Sequence, residues 1–264
     1  DHLALIKTYT TNGQTPDSAG TSTAIHSGFK TKSGLIGLSN NSKRGDCTSE
    51  RKELESIMDV FKQLGKSVGL VTNTRVTHAT PAAVYAHSFD RNWEDDSKVP
   101  EDCLQDDIAL QLINSNIDLV LGGGRGHFLP IEVLNQKGKR KDSRNLIEEF
   151  KTNGGVFLND NQDFKNYKID TKRRLIGLFS DSHFPYLAEK ENKPSLLELS
   201  NLAIEYLNRN KKGFYLLIEA GRIDHGHHAG KLNYVLKQTQ QFNNLIQNVL
   251  AKVNLKETLL IVTA

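Results

Sequence analysis

The sequence predicts an α/β fold, with a mostly parallel central sheet and helices on both faces. Short β-rich apolar runs alternate along the chain with longer stretches whose apolar residues recur three and four apart, which is the pattern of a parallel sheet covered by helices. The composition, 37% hydrophobic and 25% charged among 264 residues, is that of a globular chain. No internal repeat and no convincing domain linker interrupts the pattern.

Each run predicts one element. The predicted strands are Ser67 to Val71, Ile117 to Leu121, Leu175 to Phe179, Phe214 to Ile218 and Thr258 to Val262. The predicted helices are Glu53 to Leu64, Leu104 to Ile113, Leu146 to Phe150, Leu196 to Leu207 and Tyr234 to Val253. The predicted loops are Asn40 to Arg51, Phe89 to Glu101 and Asn159 to Arg173. Ligands of open α/β sheets bind beyond the carboxyl ends of the strands, so we expect functional residues just after the strands.

Charge and hydropathy exclude two broad classes of function. The formal net charge is +3, from 34 Lys and Arg against 31 Asp and Glu, and Lys137 to Lys141 is a short basic run. This run has no interleaved aromatic residues that could stack on bases, so we interpret it as a solvated loop and expect no nucleic-acid binding. No stretch approaches the roughly 18 consecutive apolar residues of a membrane span, so we expect no transmembrane segment.

The densest polar cluster directly follows the predicted strand Phe214 to Ile218. The ten residues from Glu219 to His228 contain two carboxylates and three of the nine histidines. Zinc prefers such nitrogen and oxygen ligands, so the segment favours a metal site. Asp224 and His228 stand four residues apart and share one face if the segment is helical. The alternative is a solvated, histidine-rich loop.

A second cluster lies near the start of the sequence, where Pro16 is followed by Asp17, Ser18 and further small residues. A serine at the start of a helix lies near unsatisfied backbone amides and the positive end of the helix dipole, which favours an anion such as phosphate. Asp and Ser after Pro are also ordinary N-cap residues. On the local pattern alone, the N-cap is the favoured interpretation.

Polar residues also surround a helix that Pro81 is predicted to open after the strand Ser67 to Val71. His78 and Thr80 straddle the start of this helix, and Arg91 lies beyond its far end. A planar guanidinium suits phosphate because it donates two parallel hydrogen bonds. Taken one at a time, these residues would be a cap, a surface histidine and a surface arginine.

The two cysteines, Cys47 and Cys103, lie among polar and acidic neighbours. A buried structural thiol normally has apolar neighbours, so a disulfide is the simplest interpretation. Two free thiols are the alternative at this stage.

Together these segments resemble the alkaline phosphatases, and the animal type more than the bacterial periplasmic type. Asp17 to Thr21 is similar to the nucleophile signature of that family, Thr74 to Pro81 to its magnesium segment, and Glu219 to His228 to its magnesium and zinc segment. The resemblance implies an alkaline phosphatase-like fold in which residues 1–264 are a single, incomplete catalytic domain. It also implies a metal-dependent hydrolase of phosphate monoesters with broad tolerance of the leaving group.

The resemblance assigns roles to three residues around the nucleophile. Ser18 would attack the phosphorus and become phosphoserine, Arg91 would clamp the phosphate oxygens, and Asp17 would orient Arg91. Sulfatases and phosphodiesterases are rivals on a related fold. A sulfatase needs a modified residue in a Cys/Ser-x-Pro-x-Arg context, which Ser18 lacks.

The same resemblance assigns metals and a disulfide. The implied ligands are Asp224 and His228 for Zn2+ and Thr80 and Glu219 for Mg2+, with His78 and His225 acting on the magnesium through water. Cys47 and Cys103 fall where animal-type members have a disulfide, which implies an exported protein that is periplasmic, extracellular or surface-anchored. The complete protein is expected to be a homodimer.

Relative to the family, the sequence resembles an interior piece. It begins after a metal-bridging aspartate and stops at Thr263 and Ala264, before an Asp-His pair and a further zinc-binding histidine. One zinc site would keep two protein ligands, the second would keep Ser18, and magnesium would lose a bridging carboxylate. Such a depleted site is expected to bind metal weakly. The alternative to an active enzyme is therefore an inactive fragment or a phosphate-binding pseudoenzyme on the same fold.

Overall fold

The computed structural model describes residues 3–133, 137–187 and 193–263, and its centre is a five-stranded sheet. The strands are β1 Ser67–Arg75, β2 Leu119–Gly123, β3 Val156–Leu158, β4 Leu175–Leu178 and β5 Phe214–Glu219. They lie in the order β3-β4-β2-β1-β5, and all four pairings between them are parallel. Four of the five predicted strands are present, and the predicted fold class is confirmed.

Helices connect the strands, as parallel pairing requires. In chain order the α-helices are α1 Ser18–Ser27, α2 Ile57–Gln63, α3 Ala79–Ala82, α4 Ile108–Asn114, α5 Leu146–Thr152, α6 Asn161–Asn166, α7 Leu196–Leu207, α8 Arg222–His228 and α9 Leu232–Lys252. Short 3-10 helices cover Asp96–Lys98 and Arg125–Phe128. All five predicted helices are present, although α2 and α4 begin four residues later than predicted.

The sheet is covered on both faces because successive side chains of its strands point in opposite directions. Leu70 of β1 belongs to a core that includes residues of α1, α2, α4 and α5. Its neighbour Val71 belongs to the opposite core, with residues of α7 and α9. Gly69 lets α7 approach the sheet closely, since a Cβ at this position would lie 2.6 Å from Leu207 Cδ1. Burial on both faces explains why the strands appear in the sequence as apolar runs.

Two predicted elements are wrong. Thr258 to Val262 forms no strand, and Leu259 and Ile261 are 84% and 71% exposed. A short apolar run becomes a strand only where it finds a partner edge, and this run pairs with no strand of the described residues. Asn159 to Arg173 is not wholly a loop, because Asp160 accepts hydrogen bonds from the backbone of Gln162 and Asp163 and caps α6. The three-residue strand β3 was not predicted.

The basic run Lys137 to Lys141 is not a simple solvated loop. The side chain of Arg140 is fully buried and donates hydrogen bonds to both carboxylate oxygens of Asp107, at 3.0 Å each. It also bonds Asp142. Arg140 therefore ties this segment to the start of α4, where Asp107 is the N-cap.

Cys47 and Cys103 form a disulfide, with their Cα atoms 5.6 Å apart. The bond joins two of the predicted loop regions beside a small core that contains Leu38, Phe89 and Trp93. Closing a loop of this length contributes about 4 kcal/mol in the chain-entropy model. Within the described residues, no helix combines the length and the apolar character that a membrane span requires.

His26 is a buried neutral histidine near the end of α1. Its Nδ1 lies 2.8 Å from the carbonyl oxygen of Ser22, and its Nε2 lies 3.0 Å from the hydroxyl of Tyr215 on β5. These contacts place the proton on Nδ1, while the tyrosine hydroxyl donates to Nε2. Burial lowers the pKa of His26 to about 4.

This depressed pKa predicts a loss of stability in acid. The unfolded chain binds a proton near pH 6.5 and the folded chain only near pH 4, so the contribution of His26 is complete above pH 6.5 and is lost as the pH falls towards 4. Between pH 7 and pH 5 the expected loss is about 2 kcal/mol in the free energy of unfolding. We expect His26→Gln to reduce the loss measured by denaturant unfolding at the two pH values, whereas replacing the exposed His227 with Gln leaves it unchanged. An equal loss in both variants would contradict the prediction.

Candidate active site

The candidate site lies at the carboxyl end of the sheet, as expected for an open α/β fold. It is bounded by the last residues of β1 and β5, by the starts of α1, α3 and α8, and by the segment after β4. Gly221 lets the chain turn from β5 into α8 in close contact with β1, because a Cβ there would lie 2.4 Å from Thr74 Cγ2. The three polar clusters found in the sequence therefore meet at one edge.

Ser18 is the first residue of α1, and Asp17 is the N-cap of that helix. One carboxylate oxygen of Asp17 accepts from the backbone N–H of Gly20, and the other accepts from the backbone N–H of Gly34, each at 3.0 Å. The N-cap interpretation is thus correct for Asp17 and leaves Ser18 at the positive end of the helix dipole. Among the described residues, no side chain or backbone group forms a hydrogen bond with the Ser18 hydroxyl.

Arg91 joins the start of α1 to the start of α3. Its Nη1 donates to Asp17 at 3.0 Å, and its Nη2 lies 3.2 Å from Nε2 of His78. Burial by itself would raise the pKa of Asp17, but the hydrogen bonds from Gly20, Arg91 and Gly34 outweigh burial and lower it. Asp17 is therefore an ionised carboxylate that holds the guanidinium in place.

Glu219, the last residue of β5, lies opposite Thr72 in the register of β1 and β5. Its carboxylate accepts hydrogen bonds from the hydroxyls of Thr72 and Thr74, the latter at 2.9 Å, and from Thr80. Burial raises the pKa of Glu219, and these three hydrogen bonds oppose the rise without cancelling it. A cation beside this carboxylate would stabilise its charged form. Thr80 and Glu219, the predicted magnesium ligands, are thus in contact.

The predicted zinc ligands lie on α8. Asp224 and His228 share one face of the helix, with Oδ1 and Nε2 3.5 Å apart. Their side chains are 63% and 80% exposed. The segment forms a helix rather than a loop. The four-residue spacing of Asp224 and His228 therefore places both side chains on one helical face, as the sequence predicts for a helical segment.

Three histidines from different segments form a cluster beside these residues. One ring nitrogen from each of His78, His183 and His225 lies within 4.8 Å of the others. The ring centroids of His183 and His225 are 4.4 Å apart, and His78 lies 5.3 and 5.5 Å from them. Burial and the charge of Arg91 lower the pKa of His78 to about 3, and burial and Arg75 lower that of His183 to about 2. Burial and Arg222 also lower the pKa of His225. All three imidazoles are therefore neutral near pH 7.

A buried ion pair supports the cluster. Arg75, the last residue of β1, donates from Nε and Nη2 to the two carboxylate oxygens of Glu94, at 2.8 and 2.6 Å. Its backbone N–H donates to Nδ1 of His183 at 3.1 Å, and its Nη1 contacts Nε2 of the same ring. Burial by itself would raise the pKa of Glu94, but Arg75, His127 and Thr77 outweigh burial and bring it to about 2. The ionised carboxylate of Glu94 thus holds the guanidinium of Arg75 in place.

The structure brings together the predicted residues of all three segments, through Asp17 with Arg91, Arg91 with His78, His78 with His225, and Thr80 with Glu219. Sequence reasoning did not identify His183 or Glu94 as site residues. His183 follows β4 by five residues, so the rule that functional residues follow strands would have found it. Glu94 lies within the predicted loop Phe89 to Glu101 and does not follow a predicted strand, so the sequence does not mark it as a site residue.

An open, parallel α/β sheet with polar side chains converging beyond its carboxyl edge defines the class of α/β proteins whose ligand sites lie at that edge. The model of the alkaline phosphatase family matches residues 1–264, and the chain belongs to this family. It is 40% identical over 282 residues to an alkaline phosphatase of Gadus morhua, a match that covers 99% of this chain and 59% of the relative. It is 38% identical over 283 residues to the tissue-nonspecific isozyme of Homo sapiens, covering 99% of this chain and 54% of the relative.

A solved structure agrees with this assignment. The alkaline phosphatase of the Antarctic bacterium TAB5 superposes with a TM-score of 0.77 at 27% identity, covering 93% of this chain and 63% of that one. The chain thus spans between half and two thirds of the length of these relatives. The resemblance to the animal type is confirmed, because the curated relatives at about 40% identity are animal alkaline phosphatases.

Proposed function

We propose that the protein carrying this chain is a metal-dependent phosphate monoester hydrolase that passes through a phosphoserine at Ser18. The observation that carries the proposal is the placement of Ser18 at the positive end of α1, directly after the ionised Asp17 that holds Arg91 in position. Among the described residues the Ser18 hydroxyl has no hydrogen-bond partner. Membership of the alkaline phosphatase family supports the reaction class.

Phosphate monoesters hydrolyse extremely slowly without a catalyst, so a site must neutralise charge and fix an in-line geometry. The Ser18 oxygen forms a bond to phosphorus while the bond to the leaving alcohol breaks, and water later cleaves the phosphoserine to release inorganic phosphate. Arg91 binds the equatorial oxygens in both steps, because its charge and its planar donors match them. All these contacts are made to the phosphoryl group and none to the leaving alcohol. The site should therefore accept many different leaving groups.

The donor sets fit two kinds of metal ion. The carboxylate of Glu219 and the hydroxyl of Thr80 are hard oxygen ligands of the kind that Mg2+ prefers, and a cation would offset the burial that raises the pKa of Glu219. Asp224 and His228 offer one oxygen and one nitrogen at helical spacing, which suits Zn2+. A variant of the TAB5 enzyme with a histidine replaced by glutamate has magnesium in its M3 site. When bound, these metals would lower the pKa of the serine hydroxyl and of water and offset the charge of the phosphoryl group.

Residues 1–264 form part or all of one catalytic domain in this proposal, and the active protein is a homodimer. Export to the periplasm, the cell surface or the extracellular space is supported by the disulfide between Cys47 and Cys103, since such bonds persist in oxidising compartments. The substrates are small phosphate monoesters.

The test is hydrolysis of an aryl phosphate at alkaline pH by the chain together with whatever sequence flanks it in the natural protein. We expect hydrolysis that requires zinc and magnesium, stops with a chelator, and is inhibited by inorganic phosphate. A folded protein that retains zinc but does not hydrolyse the ester would contradict the proposal. A folded protein that purifies nearly free of metal would instead support the alternative, a phosphate-binding pseudoenzyme.

A further inference from the structure

We propose that Arg44 determines substrate preference at the candidate site, by binding a second oxyanion group that the leaving alcohol of a phosphate ester carries. This inference rests on the proposed function and deepens it. Ser18 and Arg91 contact only the phosphoryl group, so many leaving groups are accepted. Arg44 adds a contact with the leaving group itself, and esters with a carboxylate or a further phosphate there become the preferred substrates.

Gly34 connects Arg44 to the residues that hold the phosphate. Its backbone N–H donates to Asp17 at 3.0 Å, and its carbonyl oxygen accepts from the backbone N–H of Arg91 at 2.9 Å. The side chain of Arg44 lies across the Cα of Gly34, since a Cβ at this position would lie 2.7 Å from Cζ of Arg44. Glycine leaves this space and also suits the left-handed backbone, with φ of 85°. Arg44 thus contacts the residue that binds both Asp17 and Arg91.

Asp90 holds the guanidinium of Arg44 in one orientation. Nε and Nη2 of Arg44 donate to the two carboxylate oxygens of Asp90, at 2.9 and 3.1 Å. Asp90 directly precedes Arg91, so one ion pair of the site, between Arg91 and Asp17, is followed outward by a second. A guanidinium that is already held in place loses little side-chain entropy when it binds a ligand.

Arg44 keeps hydrogen-bond donors for such a ligand. A guanidinium has five N–H groups, and Asp90 accepts from one on Nε and one on Nη2. In the described part of the chain, no other group accepts a hydrogen bond from Arg44, so Nη1 and the second N–H of Nη2 remain. These two nitrogens form one edge of the planar group, and such an edge matches the paired oxygens of a carboxylate or a phosphate.

The charge and the exposure of Arg44 suit a place at the rim of the site. The hydrogen bonds to Asp90 raise the pKa of Arg44, and the charges of Asp90 and Asp17 add to this rise, while burial opposes it. Asp17, the carboxylate that holds Arg91, is therefore close enough to act on Arg44. The side chain of Arg44 is 43% exposed and that of Arg91 is 18% exposed. Arg91 accordingly binds the phosphoryl group inside the site, and Arg44 lies nearer the solvent, towards which the rest of the ester extends.

The test compares two phosphonates that cannot be hydrolysed, because a P–C bond replaces the ester bond. Propylphosphonate and 3-phosphonopropionate differ only in that the second ends in a carboxylate. Binding to the protein supplied with Zn2+ and Mg2+ is measured by isothermal titration calorimetry. We expect the wild type to bind 3-phosphonopropionate at least about 5-fold more tightly, since a half-exposed charged contact is stronger than a surface ion pair and weaker than a buried one. This ratio should shrink as the salt concentration rises.

Substitutions of Arg44 show whether its charge causes the preference. Arg44→Gln should remove the preference, and Arg44→Glu should reverse it, because the new carboxylate repels that of the ligand. Arg51→Gln is the matched control, since Arg51 belongs to the same predicted loop and pairs through Nε and Nη2 with the carboxylate of Glu53. This control should keep the wild-type ratio. If Arg44 only fastened its loop to Asp90, its variants would change both affinities alike and leave the ratio as it is.

The outcomes separate this inference from the proposed function. Equal affinities of the wild type for the two phosphonates would overturn the role of Arg44, whether or not the variants fold. A wild-type ratio in folded Arg44→Glu would do the same, while phosphate binding and Ser18 labelling could still stand. A protein that binds neither phosphonate would contradict the proposed function itself and the role of Arg44 together with it.

Discussion

Ser18→Ala is expected to abolish covalent labelling of the protein by phosphate and to lower kcat by about three to six orders of magnitude. The hydroxyl is the group that forms the bond to phosphorus in the proposed reaction, and alanine offers no lone pair in its place. The other parts of the site remain, because Asp17 still caps α1 through the backbone of Gly20 and still holds Arg91. The loss should therefore appear in the chemical step and leave folding intact.

The measurement is incubation with radiolabelled inorganic phosphate at acid pH, where the phosphoenzyme accumulates, followed by denaturation and counting. Ser27→Ala is the matched control, since Ser27 lies at the other end of the same helix. Its hydroxyl forms only local hydrogen bonds, donating to the carbonyl of Thr23 at 2.7 Å and accepting from the backbone N–H of Phe29 at 3.2 Å. The control should retain full labelling. Labelled protein recovered from Ser18→Ala in wild-type amount would remove Ser18 from the role of nucleophile.

Local signals in the sequence located most of the fold. The limits of α7 are those predicted, because Ser195 and Glu198 form a capping box that marks its first turn and the apolar spacing continues to Leu207. The strands β1, β2, β4 and β5 were found from their apolar runs, which reflect burial on both faces. Thr258 to Val262 has the same local character and forms no strand, since pairing depends on a distant partner rather than on the run itself.

The sequence predicted those residues of the candidate site that lie in recognisable local patterns. Glu219 lies in a segment whose local pattern favoured a metal site. Ser18, His78 and Thr80 were assigned to a site only through the resemblance to the alkaline phosphatases, and the fold brings these segments together. His183 and Glu94 contact Arg75 across 108 and 19 residues of sequence. The position of His183 after β4 is a signal of its own, but no periodicity or motif marks the pairing of either residue with Arg75. Arg140 illustrates the same limit, because its burial depends on Asp107, 33 residues away.

Arg91→Ala is expected to raise the inhibition constant of inorganic phosphate about 10- to 100-fold, since hydrogen bonds to charged groups contribute about 1.5–3 kcal/mol. Removing the guanidinium also leaves the ionised carboxylate of Asp17 without its cation, close to the place where the phosphate dianion binds. This repulsion adds to the lost attraction. kcat/KM for the aryl phosphate should fall at least as far, because charge on the equatorial oxygens is also present in the transition state.

Arg91→Lys separates charge from geometry. Lysine keeps the positive charge but cannot donate two parallel hydrogen bonds, so we expect an inhibition constant between those of the wild type and Arg91→Ala. Arg144→Ala is the control, because Arg144 forms an equivalent pair with Glu149 in the part of the chain that leads into α5. The inhibition constants come from hydrolysis rates at several phosphate concentrations. Equal constants in the wild type and Arg91→Ala would show that the guanidinium serves only to hold Asp17 and His78, and that the helix terminus and bound metals carry phosphate recognition.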